Sequence, residues 1–174
     1  MIRVGSLFSG IGGFCLGLKK VGIKTIWANE KDPAACESFR HNHKNVRLIE
    51  KDVKKLRVAA DNLEPVDILT SGFPCQSFST AGEKSGFDDP RGKVFFEIIR
   101  LLDEFGDQRP SVLLLENVPF LKHGNGGQWF DRVRNEIQMA GYWFGDHNAA
   151  VLNTADLTEL PQNRERLFMV ALST

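Results

Sequence analysis

The sequence predicts an α/β fold, Rossmann-like, with one doubly wound, mostly parallel sheet that closes on a terminal antiparallel strand. Three observations carry this. Short apolar strands alternate with helical segments along most of the chain. Val112-Leu113-Leu114-Leu115 is an unbroken apolar run, as expected of a central strand covered on both faces. The last two apolar segments follow one another without a helix between them, so the pattern ends β-β.

Each element has its own signal. Ile2 to Phe8 is a short apolar strand, Ser9-Gly10-Ile11-Gly12-Gly13 a tight turn, and Phe14 to Val21 a helix with Gly22 just past its end. Lys24 to Asn29 reads as the second strand, closed by Glu30. Pro33 fits the first turn of a helix that runs to about His43. Val46 to Glu50 is a third strand, followed by a polar helix from about Val53. Pro65 ends that segment, and Val66 to Thr70 is the fourth strand. Gly72 to Arg91 has no periodicity; loops of that length in compact domains are usually functional or disordered. Phe95, Ile98, Ile99 and Leu102 then recur at helical spacing. The apolar run from Val112 ends in Glu116-Asn117. Trp129 to Met139 is a helix with Gly141 at its end, and Tyr142 to Val151 and Leu167 to Leu172 are the final strands.

The chain has 174 residues, enough for one domain with a real core. Its 22 Lys and Arg balance 22 Asp and Glu, so bulk charge gives no support to a nucleic-acid partner, although clustered basic residues would still allow one. Three cysteines without C-x-x-C spacing argue against a disulfide scaffold and for a reducing compartment. There is no long apolar run and no signal-peptide pattern, so the expectation is a soluble, cytoplasmic protein with no membrane partner.

Three strand ends place acids or glycines on one sheet edge. Gly10, Gly12 and Gly13 follow a strand and open a helix, where missing Cβ atoms and helix N–H groups admit a polar ligand. Glu30 ends the next strand, where a carboxylate can hold a ribose diol, and Asp52 follows the third. Phe8 offers an apolar surface to a base. Glycine turns of this kind also occur for packing alone. No phosphate-binding G-x-x-x-x-G-K-[ST] loop is present, which argues against kinase or ATPase chemistry.

Cys75 stands between Pro74 and Gln76 in a polar, glycine-rich loop after the fourth strand. Cys15 and Cys36 lie within helices and fit the structural reading of a buried thiol; Cys75 does not, and reads as a nucleophile. Glu116 ends the greasy fifth strand, beside the fourth, and can donate a proton to a ring nitrogen if partial burial raises its pKa. Arg164 and Arg166, two apart, share one strand face and can clamp a carbonyl or phosphate; a charged edge is the plain alternative. His41, His43, His123 and His147 show no metal spacing, and the residues after Pro74-Cys75 exclude a zinc deaminase pattern.

Taken together, these residues resemble the DNA (cytosine-5) methyltransferases, in motif order and over nearly the whole chain. Leu7-Phe8-Ser9-Gly10-Ile11-Gly12-Gly13-Phe14 is similar to the first cofactor motif, with Ser6 where the family usually has Asp. Glu30 matches the ribose-binding acid, and Asp52-Val53 the adenine-contacting pair. Gly72-Phe73-Pro74-Cys75-Gln76-Ser77-Phe78-Ser79 is similar to the catalytic motif. Gly86-Phe87, Asp89, Arg91-Gly92 and Val94-Phe95 resemble the segment that follows. Glu116-Asn117-Val118 matches the proton-donating motif, and Gln162-x-Arg164-x-Arg166 the last motif of the core.

The resemblance implies S-adenosyl-L-methionine as cofactor, contacted by Phe8, Ser9, Gly10, Gly12, Gly13, Glu30, Asp52, Val53, Pro74 and Val94. It implies double-stranded DNA with a flipped cytosine as substrate, Cys75 attacking C6, Glu116 protonating N3, Arg166 on O2, and Arg164 ordering the Cys75 loop, with Gln76 in the catalytic set. The loop from Ser79 to Arg91 would close over the nucleotide, and Lys84 and Arg91 would meet phosphates. No metal is implied. Family members usually continue into a target-recognition domain and a last helix that completes the core, so residues 1–174 read as a catalytic and cofactor-binding domain, incomplete at its C-terminus. A second subunit, a longer chain, or an inactive truncation would each account for that, and the uncovered apolar surface predicts association with a partner or with itself. Two rivals stand beside the methylation reading: a methyltransferase-like binding module, and the same chemistry on RNA.

Overall fold

A computed structural model describes residues 2–74 and 92–174. Cys75, Gln76, Lys84 and Arg91 lie outside the described residues. The strands are β1 (Arg3–Leu7), β2 (Lys24–Glu30), β3 (Arg47–Glu50), β4 (Ile68–Ser71), β5 (Val112–Asn117), β6 (Tyr142–Trp143), β7 (Ala149–Asn153) and β8 (Glu165–Ser173). They form one sheet in the order β3-β2-β1-β4-β5-β8-β6, with β7 also paired to β8. β1 to β5 run parallel, and β8 enters antiparallel against β5. The helices are α1 (Gly13–Lys20), α2 (Pro33–Asn42), α3 (Phe95–Phe105), α4 (Phe120–His123), α5 (Gln128–Met139) and α6 (Thr154–Leu157).

The local causes are the expected ones. Asp32 caps α2 by accepting the Ala35 N–H at 2.8 Å, with Pro33 in the first turn. Gly22, at φ +79°, closes α1. One sheet face buries Leu7, Leu69, Leu113, Leu115, Leu167 and Met169 with residues of α3 and α5 in the main core. A smaller cluster on the β1–β2 side joins Cys15 of α1, Ala28 of β2 and Phe39 of α2. Gly5 is required by the main core: a Cβ there would lie 2.2 Å from the Trp27 indole. Trp27 is itself fixed by its Nε1–H to the Glu64 carbonyl at 2.9 Å and by stacking on Phe105. Replacing Gly5 with alanine is expected to cost about 1 to 3 kcal/mol in chemical denaturation, the usual range for an overpacked core.

Three expectations are corrected. No helix follows Val53. A three-residue 3-10 turn, Val53–Lys55, stands there, with Asp52 accepting the Lys54 N–H at 3.0 Å. Asp61 accepts the Arg57 N–H at 2.9 Å, so side chains and short turn bonds share this segment's backbone in place of a helical ladder. Tyr142 to Val151 is not one strand. β6 and β7 lie along the same edge of β8, but residues 144–148 face only residues 170 and 171, and the surplus loops out as a turn at Asp146–Asn148. β5, finally, is covered on one face only. Leu113, Leu115 and Asn117 are buried, whereas Val112, Leu114 and Glu116 are half-buried. Their partners on β8 continue that open face with Val170, 37% exposed, and Leu172, 42% exposed, beside Trp143 of β6 at 58%.

Candidate active site

The carboxyl ends of β1, β2, β4 and β5 converge on one edge of the sheet, where open α/β sheets hold their ligands. Two connected hollows lie there. The smaller, about 190 Å³, is lined by Phe8, Glu30, Asp52, Val53, Pro74 and Val94, together with Asn29, Lys31, Lys51 and Gly72. The larger is an open groove of about 760 Å³ between α1 and the uncovered face of β5 and β8. Phe8, Ser9, Gly10, Gly13, Glu116, Arg164 and Arg166 all line it. Phe8 and Gly72 line both, so the two spaces are adjacent.

Glu30 is held in place by backbone. Its Oε2 accepts the Gly10 N–H at 2.8 Å, and its Oε1 accepts those of Lys31 and Asp32 at 2.7 and 2.9 Å. A carboxylate has about four acceptor sites, so one remains for a ligand hydroxyl. Asp52 accepts the Lys54 N–H and pairs with Lys31 at 3.2 Å. That backbone donor first, and Lys31 second among the attractive contacts, hold its carboxyl below the usual carboxylate range. Phe8 has φ +50°, a left-handed backbone that a bulky residue rarely adopts, and it separates the two hollows. Its neighbour Ser9 is tied to β2 by its N–H on the Asn29 carbonyl at 3.0 Å.

Glu116 and Arg166 meet as an ion pair at 2.8 Å, each side chain about 25% exposed. Burial pushes the Glu116 carboxyl upward, while the charges of Arg166 and Arg164 pull it back. The exit of β4 passes directly beside this pair: a Cβ on Gly72 would lie 3.2 Å from Glu116 Oε2. Buried Asn117 secures the same junction, donating from Nδ2 to the Phe73 carbonyl at 3.1 Å and accepting the Val118 N–H at 2.9 Å. Replacing Arg166 with methionine removes the main opposing charge. Glu116 is then expected to titrate at higher pH than in the wild-type protein, as read by the carboxyl stretch in infrared difference spectra.

Most of the sequence-predicted residues thus come together. Gly12 does not line either hollow. Its φ is +95°, and a Cβ there would lie 2.1 Å from His43 Nε2, so it serves the approach of α1 to α2. Ser6 is buried within β1 and lines neither space. Lys31, Asn117 and the strained Phe8 backbone received no role from the sequence. Only Asn117 had a signal there, as a polar residue closing an apolar strand. Among the described residues, no group of three His, Cys, Asp or Glu is placed to hold a metal ion, and no helix is long and apolar enough to cross a membrane.

A family model described as C-5 cytosine-specific DNA methylase matches residues 2–174. The chain belongs to this family. Among curated proteins it is 39% identical over 172 residues to the type II methyltransferase M.Bsp6I of Bacillus sp., covering 98% of the chain and 52% of that protein. It is 40% identical over 166 residues to M.Eco47II of Escherichia coli, covering 95% of the chain and 38% of that protein. Among solved structures, a DNA modification methyltransferase encoded within an E. coli prophage superposes with a TM-score of 0.79 at 25% identity. That match covers 99% of the chain and 47% of the other. The Entamoeba histolytica methyltransferase EhMeth superposes at 0.80 with 20% identity, covering 100% and 53%, which shows the shared fold. This DNA methylase chain therefore has a Rossmann-like methyltransferase fold and spans about half the length, or less, of these two curated relatives.

Proposed function

We propose that this domain transfers a methyl group to C5 of cytosine in double-stranded DNA. The observation that carries the reading is the Glu116–Arg166 pair beside the exit of β4, one residue pair short of Cys75 and adjacent to the smaller hollow. The smaller hollow suits the nucleoside end of S-adenosyl-L-methionine. Glu30 keeps an acceptor for a ribose hydroxyl, and Asp52 and Val53 face the same space. Phe8, Pro74 and Val94 supply further walls of that hollow, and Ser9, Gly10 and Gly13 line the adjoining groove into which the rest of the cofactor would extend. When bound, this cofactor supplies an electrophilic methyl group on a sulfonium.

Cytosine C5 is a weak nucleophile in the intact ring, and the chain's own groups answer that. Cys75 attacks C6 as a thiolate. Glu116, whose carboxyl burial pushes upward, gives a proton to N3 and so drains charge into the ring. Arg166 holds O2 and Arg164 orders the Cys75 loop. C5 then takes the methyl group, a base removes its proton, the thiolate leaves, and N3 returns its proton to Glu116. A stacked base is out of reach of these groups, so the target nucleotide must be flipped into the groove. The test is trapping on duplex DNA containing 5-fluorocytosine. Its missing C5 proton blocks elimination, so an active enzyme stays attached through Cys75. Absence of the adduct with cofactor and a recognition region supplied would favour a binding module, and adduct on structured RNA alone would move the substrate.

Recognition of the target sequence is assigned to a region outside these 174 residues, in the same protein or a second subunit. The open β5–β8–β6 face, with Leu114, Val170, Leu172 and Trp143, is where that region would bury apolar surface. The 174-residue chain alone is therefore expected to self-associate in sedimentation velocity, and Leu172→Glu to return it to monomer.

A further inference from the structure

We propose that Arg100, a residue of α3 that lines neither hollow, is the positioning residue for the purine end of the cofactor site. The inference rests on the cofactor reading above. The segment after Asp52 has no helical ladder to hold it, although Val53 is part of the wall of the smaller hollow. Beyond the two internal bonds of its 3-10 turn, Lys55 N–H to the Asp52 carbonyl and Leu56 N–H to the Val53 carbonyl, it is held from across the core. Arg100 donates from Nη2 to the Val53 carbonyl at 3.1 Å, which also accepts the Leu56 N–H at 3.1 Å, and to the Leu56 carbonyl at 3.0 Å. The rest of the guanidinium is occupied as well: Nε bonds Glu97 at 2.7 Å and Nη1 bonds Glu104. Glu104 extends the brace with its second oxygen, accepting the Val58 N–H at 2.8 Å, and its first oxygen lies 3.7 Å from Arg57 Nε.

One planar fork thus ties four points together: two on its own helix and two on the segment that carries Val53. Its five donors in fixed geometry are what a lysine lacks. Two acids on α3 set the direction of the fork, so its aim at Val53 and Leu56 is prearranged. The helix that bears it starts one residue after Val94, which lines the same hollow. Arg100 therefore fixes the spacing between the Asp52-Val53 wall and the Val94 wall, the two sides between which a flat base must fit.

The test is binding of S-adenosylhomocysteine to the purified chain by calorimetry, with its hypoxanthine counterpart, S-inosylhomocysteine, as the second ligand. The wild-type protein should prefer the adenine form, because Asp52 accepts an amino hydrogen and repels a carbonyl oxygen. Arg100→Lys keeps the charge but loses the fork. It should weaken S-adenosylhomocysteine binding about tenfold and narrow the preference between the two ligands, at a temperature where the variant is folded. If Arg100→Lys does not fold, Glu104→Gln loosens the same brace from its other end and should narrow the preference in the same direction. A role confined to stability would lower the melting temperature and leave the preference intact, and that result would overturn the inference. Failure of the wild-type chain to bind S-adenosylhomocysteine at all would instead remove the cofactor reading, and this inference with it.

Discussion

Cys75→Ser eliminates the trapped adduct on 5-fluorocytosine DNA and lowers methyl transfer by about 10⁴-fold or more, as expected when a covalent nucleophile is lost. A serine hydroxyl at neutral pH supplies almost no alkoxide, whereas even an unperturbed thiol is a few per cent thiolate. Neither of the other cysteines can take over. Cys15 and Cys36 are buried, and burial is the first cause that pushes both thiols upward. They pack in or beside the α1–α2 side of the sheet, away from the groove. Intact-mass analysis of trapped reactions checks this directly. Wild type, Cys15→Ser and Cys36→Ser should each gain the mass of the oligonucleotide, and Cys75→Ser should not. An adduct in the Cys75→Ser protein would end the mechanism given above.

The parts of this molecule that were legible in its sequence are those fixed locally. The five parallel strands, the glycine turn, the Asp32 and Pro33 start of α2 and the periodicity of α3 each depend on residues within one or two turns of each other. Their order then leaves one natural sheet, and that sheet brings Glu30, Asp52 and Glu116 to a common edge. What the sequence hid was set by distant partners. The Val53 segment reads as a polar helix because its composition suits one. It forms only a 3-10 turn, and its carbonyls at Val53 and Leu56 also take bonds from Arg100, forty-odd residues on. Tyr142 to Val151 reads as a continuous strand because nothing in it shows that β8 offers two residues where five must pass.

Burial was the other blind spot. Val112 to Leu115 is apolar at every position, which predicts cover on both faces, yet Val112 and Leu114 look onto an open face. Val170 and Leu172 of β8 and Trp143 of β6 continue the same exposed apolar face. Gly12 shows the converse. Its place in the glycine turn suggests ligand approach, whereas the atom that demands a missing Cβ is His43 Nε2. A glycine in a motif can be needed for the helix behind the turn as much as for the ligand in front of it.

Glu116→Gln tests the other half of the chemistry, and its expected cost is about 10² to 10⁴-fold in turnover, the usual worth of a positioned proton donor. Glutamine keeps the size and can still donate a hydrogen bond, so the loss isolates the proton. The pH dependence gives a sharper reading than the rate alone. Burial raises the Glu116 carboxyl, so its protonated form persists above the ordinary carboxylate range. Wild-type turnover should therefore fall as pH rises through that raised value, and Glu116→Gln should lose that limb of the profile. Stability has a matching sign. A group whose folded-state pKa is raised contributes stability that is full below its unfolded value and is lost as pH rises through the folded value. The melting temperature of Glu116→Gln relative to wild type should thus shift in favour of the variant as pH rises from the ordinary carboxylate range through the raised value. Arg166 opposes both effects by pairing with the ionised form at 2.8 Å, so a bound cytosine that draws Arg166 onto O2 also releases Glu116 to hold its proton. A Glu116→Gln enzyme that retained full turnover and an unaltered pH profile would place the proton donor elsewhere.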